Sequence, residues 1–148
     1  MRIAITRTGD LPVAIMHGPD DMTAEFIAEQ IAAWKSTAPG EYVSHRVFTG
    51  TLPADKTFRG AWTDALPGEN IDVDLPKARG VHMARIRAAR NAKLAETDIE
   101  AVIEMENGDV SVALKAKRTK LRDLPATFDL DQHTTTEELA AAWPAELD

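Results

Sequence analysis

Polar and apolar residues alternate over Arg2-Ile3-Ala4-Ile5-Thr6-Arg7, the two-residue period of a half-buried strand. Thr8-Gly9-Asp10 supplies turn chemistry, and Leu11 to Met16 can return antiparallel to the first strand. Asp20 and Asp21 stand where an N-cap belongs, ahead of a stripe of Met22, Phe26, Ile27, Ile31 and Trp34. Cap and stripe together predict a helix from Met22 to Trp34. Ala38-Pro39-Gly40 stops it, and Glu41 to Phe48 reads as a third strand. Residues 1–50 are thus expected to form a small ββαβ-like unit.

The regular pattern lapses between Thr49 and Asp74. Residues 51–74 hold Pro53, Gly60, Pro67 and Gly68 and read as an irregular connector with two aromatic anchors, Phe58 and Trp62. Those aromatics either pin the connector to a core or stand out as anchors for a partner, and connectors of this length are often functional.

From residue 75 to 148 the pattern is helical. Asp74 is a good N-cap, with Pro76 tolerated in the first turn. Helix formers then continue to about Met105, as one helix or as two broken near Thr97-Asp98. Asn107-Gly108-Asp109 combines a stop with a new cap, and the next helix is expected from Val110 to Leu124, where Pro125 prevents continuation. Val110, Leu114, Leu121 and Leu124 lie on or near one face, completing an αα-hairpin. Thr135 with Glu138 makes a capping box that opens a short terminal helix, Thr136 to Trp143, stopped by Pro144. The fold class is therefore α+β: a ββαβ-like unit, a connector and a helical hairpin module with a short last helix.

Composition narrows the function. The 148 residues include no cysteine, which removes disulfides, thiolate metal sites and cysteine nucleophiles together. No apolar run approaches the roughly 18 residues of a membrane span, and no signal-peptide layout opens the chain. A host cytoplasm, or a particle assembled in it, is the expected location. The net charge of −7 is unevenly spread. Residues 75–98 carry 6 basic and 2 acidic side chains, whereas residues 1–74 and 99–148 are both acidic. Overall acidity argues against general nucleic-acid binding. The basic stretch contains Lys77, Arg79, Arg85, Arg87, Arg90 and Lys93, of which Arg85, Arg87 and Arg90 are the candidate electrostatic contacts for an acidic partner. Trp143 is the candidate aromatic contact at the far end.

Catalytic and metal chemistry find no support. His17, His45, His82 and His133 are scattered without ligand spacing. Asp129 and Asp131 lack the spacing and central glycine of a calcium loop. Ser36, Ser44 and Ser111 sit in no nucleophile elbow, and no glycine-rich phosphate loop occurs. Neither an enzyme nor a cofactor is expected.

Three short patterns follow one another in the helical part: Leu94-Ala95-Glu96-Thr97-Asp98, Leu121-Arg122-Asp123-Leu124-Pro125, and Trp143-Pro144. In order and spacing they resemble the phage tail assembly chaperone family over the last 70 or so residues. Ile99 departs from that family, which commonly has a tryptophan there. Leu52 to Trp62 is similar to a segment of small phage proteins encoded near tail genes. The resemblance implies a bacteriophage or prophage protein whose partner is a tail or tail-fibre protein, with self-association left open and no membrane contact. It acts either as a transient chaperone or as a small structural component of the tail tip, baseplate or fibre attachment. A small regulatory DNA-binder using the basic helix is the remaining alternative.

Overall fold

The structure, a computed structural model, describes residues 1–9, 11–64 and 70–148. Asp10 of the expected turn, and Pro67 and Gly68 of the connector, lie outside the described residues. The protein is α+β, and its contacts divide it into two compact units, residues 1–78 and 79–148.

In the first unit, β1 (Arg2–Arg7) is the central strand, with β2 (Ala14–His17) and β3 (Tyr42–Phe48) antiparallel on either side. Ile3 faces Met16 on one side and Val47 on the other. Helix α1 (Ala24–Thr37) covers one face of the sheet, where Ile3, Ile5 and Ile31 pack with Ile27, Trp34 and Tyr42. Ala4 points to the other face and packs with Phe48, Trp62 and Ile71. Here the structure corrects the half-buried reading of β1: Ile3, Ala4 and Ile5 are all buried because both faces are covered. The cap of α1 is also different. Thr23 accepts from the Phe26 N–H at 3.2 Å, so the helix begins after it rather than after Asp20 or Asp21.

The described part of the expected irregular connector belongs to this unit. Its backbone forms a small hairpin of β4 (Trp62–Thr63) and β5 (Asp72–Val73). The Val13 N–H bonds the Trp62 carbonyl at 3.0 Å and the Ile71 N–H bonds the Thr51 carbonyl at 3.1 Å. Arg46 on β3 grips both Asp64 carboxylate oxygens through its Nε at 2.8 Å. That bonded carboxylate holds the Arg46 guanidinium above its usual pKa.

Helix α2 (Leu75–Glu106) runs unbroken for 32 residues. Asp74 opens it as expected, accepting from the Lys77 N–H at 3.0 Å. It does not break at Thr97, whose hydroxyl turns back onto the Leu94 carbonyl at 2.7 Å. Gly108, at φ 141°, takes the turn in a conformation a side chain would strain. Ser111 then caps α3 (Val112–Thr127), accepting from the Leu114 N–H at 3.2 Å and donating to Glu104 at 3.1 Å. The expected start at Val110 is displaced because Ser111, not Asp109, supplies the cap. Pro125 does not end the helix either. Proline forfeits one N–H bond there, yet the helix continues two residues past it and the Phe128 N–H closes onto the Leu124 carbonyl at 2.9 Å.

The hairpin is antiparallel, with Arg118 meeting the Thr97 carbonyl at 2.9 Å and Asp98 at 2.5 Å, and Lys117 meeting Glu100 at 3.1 Å. The remaining chain returns along α2. Arg79 holds the His133 carbonyl at 2.8 Å, His82 meets the Ala142 carbonyl at 2.6 Å, and Lys93 reaches the Asp148 carbonyl at 2.9 Å. Helix α4 (Thr136–Ala141) has the full capping box of Thr135 and Glu138. It ends two residues before the expected Trp143.

Backbone N–H groups of Thr134 and Thr135 hold the Glu138 carboxyl below its ordinary value of 4.5. A depressed folded pKa stabilises above the unfolded value and loses that contribution as pH falls through the folded one. In acid titrations followed by circular dichroism, wild type is expected to exceed Glu138→Ala in stability at neutral pH. The two curves should converge below pH 4.5.

Candidate partner-binding surface

Among the described residues, the most exposed large apolar side chains gather at one end of the hairpin. Ile99, Val102, Ile103 and Met105 on the last turns of α2 are 54–65% exposed, and Val112 at the start of α3 is 83% exposed. Single exposed apolar residues are ordinary, but five within fourteen residues make this end a candidate interaction surface. At about 100° per residue, Thr97, Glu100 and Glu104 share the side of α2 that bonds α3, whereas Ile99, Val102 and Ile103 turn away from it.

Beside this ridge lies an open groove of about 510 Å³ between α2 and α3. Ala101, Val102, Met105 and Val110 give it an apolar floor, and Lys115, Arg118 and Arg122 rim it. Every charged side chain of α3 except Asp123 is basic: Lys115, Lys117, Arg118, Lys120 and Arg122. Part of the groove's polar lining is taken up within the protein, whereas Arg122 forms no ion pair among the described residues, and Lys115 pairs only with exposed Asp109 at 3.6 Å. Asp98 is paired with Arg118, and the Thr119 hydroxyl bonds the Lys115 carbonyl at 3.1 Å. Such a surface can bind an apolar segment with acidic flanks. It presents no paired nucleophile and base.

The residues singled out from the sequence are not gathered into one site. Phe58 and Trp62 are 1% and 3% exposed. Both are core residues and are not available to a partner; Trp62 packs against the sheet with Ala4, Phe48 and Ile71. Arg85 and Arg87 are exposed and Arg90 is partly buried, on a stretch of α2 roughly 20–30 Å from Met105 at 1.5 Å per residue. Trp143 is 38% exposed and stands edge-on to His82 at 6.0 Å, between buried Ala142 and Pro144. It helps dock the chain's return along α2 and keeps one edge in solvent.

Sequence reasoning missed the hairpin end. A signal was present: Ile99, Val102 and Ile103 repeat at helical spacing on a different side from Leu94, Thr97 and Ala101, so α2 carries two apolar faces where one hairpin partner needs only one. Among the described residues no group of three or more His, Asp or Glu side chains could hold a metal ion, and no helix is long and apolar enough to cross a membrane. Compared with protein-family models, curated proteins and solved structures, the chain matches none.

Proposed function

We propose that this is a non-enzymatic bacteriophage tail-associated protein that works through protein–protein contact at the distal end of its helical hairpin. The observation that carries the reading is the exposed cluster of Ile99, Val102, Ile103, Met105 and Val112 beside a basic-rimmed groove. The phage context rests on the three helical-module patterns that resemble tail assembly chaperones. The partner is a tail or tail-fibre subunit offering an apolar segment flanked by acidic residues, met in the host cytoplasm during assembly. Charge complementarity with Lys115 and Arg122 on the groove rim selects the acidic flanks, and the apolar floor supplies most of the affinity.

The test is co-purification of the full chain with phage tail and tail-fibre subunits. Wild type is expected to form a complex that Met105→Asp weakens roughly tenfold or more, since a charge would be buried in an apolar contact. Met105 is exposed, so the variant keeps its fold, checked by circular dichroism. Quantitative mass spectrometry of purified particles then separates the roles: absence supports a transient chaperone, and stoichiometric presence supports a structural tail component.

A further inference from the structure

The charge order along α2 runs against what would stabilise it alone. Its residues 75–94 carry Lys77, Arg79, Arg85, Arg87, Arg90 and Lys93 and no acidic side chain. Its residues 95–106 carry Glu96, Asp98, Glu100, Glu104 and Glu106 and no basic one. A helix dipole favours the reverse, with acidic groups near the N-terminus and basic ones near the C-terminus. The hairpin accounts for part of the acidic end, through Asp98 with Arg118 and Glu100 with Lys117. Arg85, Arg87, Glu96 and Glu106 are exposed and form no ion pair among the described residues.

The same helix bears a stripe at alternating spacings of three and four: Arg85, Ala88, Ala92, Ala95, Ile99, Val102 and Glu106, all exposed. That is the heptad seam of a coiled coil. Its first half is alanine and its second half is β-branched, with Ile103 beside it. The two halves are complementary in size as well as in charge. We infer that a second copy of this chain docks antiparallel on this stripe, the alanine half of each α2 receiving Ile99 and Val102 of the other.

In this arrangement Ala95 of each copy lies against the other's Ile99 near the twofold axis, and Ala92 against Val102. Arg85 at one end comes within reach of the second copy's Glu106. A parallel pair would instead set arginine beside arginine and glutamate beside glutamate. A C2 contact needs one patch that complements itself, and the stripe meets that condition. Some 22 residues of helix, about 33 Å, take part. The inference stands on α2 alone and does not depend on the phage reading. The stripe shares Ile99 and Val102 with the exposed cluster of the proposed function, and a dimer leaves the groove floor of Ala101, Met105 and Val110 open to the partner, so Met105→Asp and Ile99→Glu report on the two readings separately.

Sedimentation equilibrium of the full chain tests it. Wild type is expected to be a monomer–dimer equilibrium that weakens with salt, and Ile99→Glu should weaken the dimer roughly tenfold or more. Ile99 is 65% exposed, so that variant keeps its helix content. Arg85→Glu should also weaken the dimer, and Arg85→Glu with Glu106→Arg should restore it. The chain's lack of cysteine allows a direct test of direction. Mixed Ala95→Cys and Ile99→Cys proteins should form the heterodisulfide, and Ala88→Cys alone should not form a homodisulfide. A wild type that stays monomeric at high micromolar concentration, a dimer indifferent to Ile99→Glu, or an Ala88→Cys homodisulfide would overturn the inference.

Discussion

Replacing Trp62 by alanine is expected to destabilise the first unit by about 3–5 kcal/mol, the range for removing a large aromatic from a core. Trp62 is 3% exposed and packs with Ala4, Phe48 and Ile71 against the face of β1 that α1 leaves open. Its backbone carbonyl also takes the Val13 N–H, so the residue joins the connector to the edge of the sheet by side chain and main chain together. Only the side-chain part is lost in the variant. Urea denaturation followed by tryptophan-independent circular dichroism measures the loss. Hydrogen exchange should show faster exchange at β1 and β3 amides. The same variant separates two roles for an aromatic in a connector. A core anchor costs stability and leaves the hairpin surface unchanged. A partner anchor would cost binding and leave stability unchanged.

Leu139→Ala is expected to cost about 2–5 kcal/mol in the second unit. Leu139 is fully buried on α4, a helix of six residues, too short to persist in water without tertiary contacts. The capping box orders its first turn, but such a cap contributes only about 1 kcal/mol. The buried leucine supplies the larger part, alongside Leu130, Ala142 and Leu147 from the same return of the chain. Thermal unfolding should shift downward in the variant. Protease cleavage should concentrate between residues 130 and 148, where the fold-back along α2 would loosen first.

Local grammar was the legible part of this chain. Asp74 caps α2, Thr135 and Glu138 form the capping box, and the antiparallel sheet forms from the segments that alternate or run apolar. These features depend on neighbours a few residues away. Tertiary relations were harder to read. Whether Trp62 turns inward depends on the uncovered face of β1, which no local spacing reveals. Thr97 passes as a helix interior because its hydroxyl finds the Leu94 carbonyl and its carbonyl finds Arg118 from a helix twenty-one residues on. Pro125 reads as a stop, yet its place near the end of α3 leaves little to interrupt. Among the candidate contacts, the arginines were read by charge alone. The apolar end at Ile99, Val102, Ile103 and Met105 was overlooked because those residues pass as ordinary helix filler until one asks what covers them.

Titrating the full chain against phage tail and tail-fibre subunits, the partner class of the proposed function, by isothermal calorimetry, addresses the hairpin surface most directly. At least one subunit should bind with the negative heat-capacity change of apolar burial, and Met105→Asp should weaken that binding roughly tenfold or more while Trp143→Ala changes it less. Binding to none of them, or binding that Met105→Asp leaves intact, would contradict the assignment of the hairpin end as the working face of the protein.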